Sequence, residues 1–501
     1  MSFPRSIVNF AAKEQSFHGL LSLEGSEGLF SPLPNLKMGF SILGLLSKDD
    51  WIYTGILVSS FLISWILRLQ KNTFLLANAG GPIGFAMALL VLGKKIFYSV
   101  PMALFVAFCI KFAPKKHLTA IVFVSSFAYL MVIRYLHYFF DVDELASQAN
   151  VVQLIMTLRV IGLAFEVSDF RHVKAHPESV TKPKRFLEAE PSFLEILNYF
   201  YHFAGLFTGP YYTYQMLLDS QDPVLISKWS PVPEIRERAL RLCWSVPLFI
   251  IFNKLYPLDG LRSDAVWEMS FPYRMLYAAA VFVVFRTRVY SAWAVAESMC
   301  VTLGLGIYPT DSKPRTVVGP TDLEKYKELK GRSDTIYNSE AIVNLDIPEI
   351  EMSDGFRSGI RAWNKSVQSW LALYVHSRAN RMYRVELTMF VSALWHGTYA
   401  GYFMSFLIVP MCASVEDIIF KYIPVDPVTK QRPAWFRYLY LFTLRCRGFD
   451  MLATGFLLKN FQDTHRFWSS LYYWLLVVTL PIYIFDKIYT FKRGSRTKKE
   501  L

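Results

Sequence analysis

The sequence predicts an all-α polytopic membrane protein: roughly ten membrane-embedded helices, some broken or re-entrant, around an internal chamber. Three observations carry that expectation. Hydrophobic residues fill 53% of the 501 positions and charged residues only 19%, where a soluble protein carries about a quarter. The apolar residues stand in blocks of bilayer length rather than in amphipathic stripes. Several blocks also contain Gly-Pro pairs or charges, which persist at membrane depth only when buried in protein or lining a cavity.

Taken in order, residues 1–50 mix charges, prolines and short apolar stretches without a signal-peptide pattern, and form an extension of unassigned role. Block 51–69 is a clean span. Block 79–92 is short and opens with Gly80, Gly81 and Pro82, which suggests a re-entrant or broken segment. Blocks 96–112 and 118–140 flank a basic turn, and 151–167 carries Arg159 and Glu166. Block 197–214 is aromatic and interrupted by Gly209-Pro210, which breaks a helix. Two further helices, 239–256 and 273–305, follow; the second is long enough to tilt strongly or to be two pieces. A hydrophilic excursion covers 308–354, and blocks 389–415, 435–444, 451–458 and 468–488 complete one membrane domain over 51–488. No repeat at solenoid spacing and no soluble domain stands out.

The net charge of +13 sits in short loops, at 111–116, 171–185 and 487–499. That placement argues against nucleic acid and marks cytosolic loops with a basic cytosolic tail at 489–501. Part of it also suits anionic headgroups or the phosphates of a soluble co-substrate. Lys498-Lys499 near the C-terminus resembles a dilysine retrieval signal of endoplasmic-reticulum membrane proteins. The five cysteines form no close pair, so neither a disulfide framework nor a metal site is expected.

Two polar motifs interrupt the apolar second half. Ser392-Ala393-Leu394-Trp395-His396-Gly397 places an imidazole inside an apolar stretch, and neutral imidazole accepts a proton near pH 7. The plain alternative is a core histidine bonded to a backbone carbonyl. Arg361-Ala362-Trp363-Asn364-Lys365 opens a second stretch, with a polar break at 376–384 between the two. A bend near Asn380 would fold two arms of about 24 Å back on each other and bring Asn364 and His396 to similar depth. Asn364 is also a natural helix N-cap. Glu166 and Glu297, expensive at such depth, are expected to pair with Arg159, Arg286 or Arg288, and Asp450 with Arg445 or Arg447.

Trp-Asn followed by the aliphatic Ser-Ala-Leu-Trp-His-Gly segment resembles the signature of the membrane-bound O-acyltransferase family. Further motifs resemble its lysophosphatidylinositol acyltransferase branch: Thr208 to Tyr212, Ala296-Glu297-Ser298, Ser366 to Leu371, Gly401 to Phe406 and Asp463 to Trp468. Thr213 stands where that branch carries arginine, and residues before Asp49 have no counterpart in the pattern. The resemblance implies a catalytic chamber in which His396 and Asn364 act on acyl-CoA, the co-substrate, and a lysophosphatidylinositol hydroxyl. It implies a polyunsaturated acyl chain and no permanently bound cofactor. His396 is the expected general base; Asn364 either stabilises the oxyanion or orients the imidazole. Trp363, Trp395, Tyr399 and Tyr212 are the candidate substrate-binding residues, each also an ordinary helix-packing side chain. Competing readings are another acceptor (a different lysophospholipid, sterol, diacylglycerol or protein) and, from another class, a broken-helix transporter. Neither the oligomeric state nor the role of the extension is legible in the sequence.

Overall fold

Among the described residues, seven helices are long and apolar enough to cross a bilayer: Lys48–Leu69, Gly80–Tyr98, Leu118–Phe139, Ser147–Ala175, Val232–Arg262, Phe271–Thr302 and Ala400–Tyr422. Phe461–Ser470 and Trp474–Tyr489 meet at 85°, as a broken span or a re-entrant loop does. Val100–Phe112, Arg384–His396 and Cys446–Leu458 are shorter and embedded among them. The computed structural model describes residues 46–497 apart from Lys71, Asp143, Glu144, 180–184, Ser333 and Lys430. Nearly all of the extension and the Lys498-Lys499 pair therefore lie outside the described residues.

The outer surface is apolar. Leu90, Phe112, Phe139 and Phe485 are each at least 70% exposed, a belt that water would penalise and lipid tails do not. The expected polytopic helical fold is what forms. Block 79–92 forms one unbroken helix, Gly80–Leu92, whose glycines let it press against the chain at 198–203, where a Cβ on Gly84 would sit 1.9 Å from the Tyr201 carbonyl oxygen. Phe271–Thr302 is one uninterrupted helix of 32 residues, not two pieces. Blocks 435–444 and 451–458 join through a π turn at Leu441–Arg445. Block 389–415 splits instead, at Gly397-Thr398-Tyr399.

The segment around Gly209-Pro210 is irregular, as its composition implied, and Arg159 serves it. This fully buried guanidinium donates to the carbonyls of Tyr199, Phe200 and His202 at 3.2, 3.0 and 2.8 Å and to that of Ala204. It therefore satisfies backbone that no helix ladder reaches. Glu166 does not pair with it; its carboxylate accepts the Tyr214 and Gln215 amides at 2.9 and 3.1 Å, at the start of helix Tyr214–Ser220. Glu297 likewise pairs with neither Arg286 nor Arg288 but with Arg238, at 3.0 Å and fully buried. Arg286 meets Glu351 and Arg288 meets Asp50. The sequence placed these charges correctly at depth, but partner choice followed the tertiary fold.

Two polar ends emerge. Arg262 binds Asp463 and Arg466 binds Asp264 at one. At the other, the 308–354 excursion folds over the helix ends: Lys330 pairs with Asp222 at 3.0 Å, and Tyr308 Oη donates to Asp219 at 2.6 Å. A two-residue antiparallel pairing, Tyr308–Pro309 with Tyr337–Asn338, steadies it.

Candidate active site

The histidine motif forms the last turn of helix Arg384–His396. Met389, Ser392 and His396, spaced three and four apart, share one face of it and line a cavity of about 360 Å³. Trp363 and Asn364 line the same cavity from the joint between helices Phe356–Ala362 and Lys365–Leu371. Its remaining walls come from Phe271–Thr302, Ile347–Met352, Ala400–Tyr422, Cys446–Leu458 and Arg445 just before the last of these. The two arms expected to fold back do so, through a turn at 377–383 in which Asn380 Oδ1 accepts the Met382 amide.

The His396 ring stacks on Phe406, centroids 5.1 Å apart, and meets Phe456 edge-on at 5.2 Å. Neither ring nitrogen is hydrogen-bonded among the described residues, so this is not a core histidine tied to a carbonyl. What fixes the imidazole is the end of its helix. Arg134, from Leu118–Phe139, donates to the carbonyls of Leu394, Trp395 and His396 at 3.1, 2.8 and 3.2 Å. Those carbonyls would otherwise be orphans of a helix C-terminus, and a cation there also meets the negative end of the dipole. Gly397 then lets the chain turn against Tyr402, since a Cβ would lie 2.7 Å from that ring.

Asn364 has φ 47° and ψ 50°, a left-handed conformation that asparagine tolerates better than most residues. Its carboxamide does not cap the following helix. Asn344 does so instead: its carbonyl oxygen accepts the Lys365 amide at 2.9 Å and its Oδ1 the Ser366 amide at 3.0 Å. The Asn344 amide in turn donates to Glu297 at 2.8 Å, so the buried Arg238–Glu297 pair anchors the joint. Among the described residues the Asn364 side chain forms no hydrogen bond, and it remains free to serve the cavity.

Trp363 is held among Phe285, Tyr290 and Trp293. The other three candidate substrate-binding residues do not line this cavity. Trp395 points its indole N–H to the Leu154 carbonyl at 3.1 Å, locking the histidine helix against Ser147–Ala175. Tyr399 is exposed beyond the break. Tyr212 is buried elsewhere, its hydroxyl shared by His202 Nδ1 and the Ala204 carbonyl. Thr213, standing in place of the branch's arginine, caps helix Tyr214–Ser220 and is also outside the cavity. Sequence reasoning missed Arg134 and Asn344. An arginine inside the 118–140 block was a signal for the first; nothing local marked the second.

Across the Phe356–Ala362 helix lies a polar basin of about 680 Å³, lined by Arg357, Arg361, Lys365, Arg432 and Arg437 with Asp346, Glu349, Asp354 and Glu416. Gly359, Ile360 and Trp363 face the chamber, while Arg357, Ser358 and Arg361 face the basin. Asn364 and Lys365, adjacent in sequence, stand on opposite sides of one wall.

Fold and chamber together define a polytopic integral-membrane enzyme with its polar groups gathered in a cavity among the helices. Residues 99–453 match the membrane-bound O-acyltransferase family, and the chain belongs to it. It is 58% identical over 445 residues to a Caenorhabditis briggsae protein named membrane-bound acylglycerophosphatidylinositol O-acyltransferase, covering 89% of this chain and 97% of that one. The Caenorhabditis elegans protein of the same name is 56% identical, covering 91% and 100%. The human one is 31% identical, covering 85% and 91%.

Proposed function

We propose that the chain transfers a fatty acyl group from acyl-CoA to the free glycerol hydroxyl of lysophosphatidylinositol. The observation that carries this reading is one cavity faced by two side chains, the His396 imidazole and the Asn364 carboxamide, that have no hydrogen-bond partner among the described residues. The names of the relatives support the acceptor.

In the proposed step the acceptor oxygen attacks the thioester carbon while His396 takes the hydroxyl proton. Asn364 either donates an N–H to the developing oxyanion or orients the imidazole. As the carbon–sulfur bond breaks, the thiolate leaves with the electron pair and takes the proton from the imidazolium. Because thiols ionise near pH 8.5, no stronger acid is needed. The Phe406 and Phe456 rings around His396 keep water from competing for the thioester. Paired transport halves are not evident in the sequence, which disfavours the transporter class.

A polyunsaturated donor chain rests on the resemblance to the branch. Residence in the endoplasmic reticulum with a cytosolic C-terminus rests on the basic loops and tail. Microsomes containing the full chain, given a panel of lysophospholipids and acyl-CoAs, test the reading. Lysophosphatidylinositol with a polyunsaturated acyl-CoA is expected to be the preferred pair. His396→Ala should lose about 10²–10⁴-fold in rate, and full activity in that variant removes the imidazole from the reaction. Asn364→Asp keeps a residue tolerant of φ 47° yet offers no N–H. Inactivity there assigns the oxyanion role, and retained activity assigns orientation of His396.

A further inference from the structure

The chamber contains more charge than acyl transfer requires. Beyond His396 and Asn364 its walls carry Arg286, Arg445, Arg447, Glu351 and Asp450. Three cations against two anions leave one net positive charge, the complement of a phosphodiester monoanion.

Most of these groups are already committed. Arg445 donates to the carbonyls of Glu349, Ile350, Glu351 and Gly355 and to Ser353 Oγ, and so braces the chain before Phe356–Ala362. Glu351 accepts Tyr290 Oη at 2.6 Å and pairs with Arg286 at 3.1 Å. Arg447 and Asp450 differ. Arg447 Nη2 lies 2.9 Å from Asp450 Oδ2, close enough for an ion pair but not aligned as a directed hydrogen bond. Arg447 Nε and Asp450 Oδ2 are both buried, and neither has a hydrogen-bond partner among the described residues. Asp450 is only 4% exposed. The buried Arg238–Glu297 pair is fully hydrogen-bonded, whereas the Asp450 carboxylate keeps an oxygen without a hydrogen bond among the described residues, which is costly for a buried anion. Both residues follow directly on the π turn at Leu441–Arg445, a distortion that recurs at functional sites.

Their position matches a headgroup. Phe456, which touches His396, lies on the same helix six residues beyond Asp450, about 9 Å along the axis. In a lysophosphatidylinositol the phosphorus is four bonds from the reacting oxygen and the inositol ring begins at six, so the ring hydroxyls lie about 7–10 Å away. Deepening the proposed function and resting on it, we propose that Arg447 and Asp450 are the acceptor-recognition pair. The Asp450 carboxylate accepts hydrogen bonds from inositol hydroxyls, and the Arg447 guanidinium faces the phosphodiester. Acceptors without a polyol leave Asp450 unsatisfied, and that disfavours them.

The test is steady-state kinetics on the full chain in microsomes, varying lysophosphatidylinositol and acyl-CoA separately for wild type, D450N, R447Q and R447K. D450N and R447Q should raise the KM for lysophosphatidylinositol at least about tenfold, as expected when a hydrogen bond to a charged group is lost. The KM for acyl-CoA should stay within about twofold, and R447K should recover part of the loss by keeping charge without the planar fork. A helix-bracing pair would instead alter both KM values together in the folded variants, and that result overturns the assignment, as does an unchanged KM for lysophosphatidylinositol. Should D450N not accumulate as folded protein, the split between the two KM values in R447K decides. Wild-type microsomes that acylate other lysophospholipids but not lysophosphatidylinositol refute the proposed function and this pair with it. Normal wild-type activity with unaltered variants refutes the pair alone.

Discussion

Replacing Arg134 with methionine keeps side-chain volume in the Leu118–Phe139 helix and removes three bonds to the last turn of the histidine helix, at 3.1, 2.8 and 3.2 Å. Hydrogen bonds from a charged donor contribute about 1.5–3 kcal/mol each, and three from one guanidinium do not add fully. A loss of about 3 kcal/mol at the helix end is the working magnitude. With tenfold per 1.36 kcal/mol, that lowers the population holding His396 correctly by about 10²-fold. Arg134 does not line the chamber, so the effect reaches the reaction only through the position of the imidazole. The expected result is a kcat reduced about 100-fold with the KM for acyl-CoA unchanged. Arg134→Lys should recover part of it, since an ammonium reaches the carbonyls without spanning all three. The assay is acyl transfer in detergent or microsomes, normalised to folded protein by size-exclusion chromatography. A methionine variant with kcat within about twofold of wild type, at equal folded yield, would refute the claim that this helix cap positions His396.

Two further outcomes follow from the fold. Gly401→Val drives a side chain into the opposing helix, because even a Cβ there would lie 2.1 Å from the Gly455 carbonyl oxygen; folded yield and melting temperature should both drop. Outside the membrane, the hydrogen bond from Arg171 holds the Glu190 carboxyl below its ordinary value of 4.5. A depressed folded pKa contributes stability above the ordinary value, lost as pH falls through the folded one. The melting-temperature gap between wild type and Glu190→Gln should therefore be present at neutral pH and close in acid; a gap constant across that range would dissociate Glu190 from the effect.

Within the sequence, bilayer solvent and helical class were legible because hydrocarbon imposes length and apolarity on every span, residue by residue. The motif around His396 was legible for a related reason: an imidazole stands out in a stretch whose other positions carry no charge. The arms joining Asn364 and His396 were legible from spacing, since helical rise is constant. Breaks were less so. Glycines at 80–84 read as a helix break yet serve a close helix crossing, and a continuous apolar run at 389–415 hides the turn at Gly397. Glycine gives no local indication of whether it bends its own chain or makes room for another.

Partnerships were decided only by the tertiary structure. Glu297 and Arg238 are 59 residues apart, Arg134 and Trp395 are 261 apart, and Asn344 caps a helix outside its own segment. No local pattern encodes such pairs, because a buried charge takes whichever partner the packed helices bring to its depth. The same holds for the chamber. Sequence marked His396 and Asn364 as polar residues in an apolar setting, but their freedom from hydrogen bonds depends on Arg134 and Asn344 satisfying the backbone around them. Composition and periodicity determined the solvent, the helices and the histidine; three-dimensional packing determined which polar groups were consumed in holding the fold and which were left for chemistry.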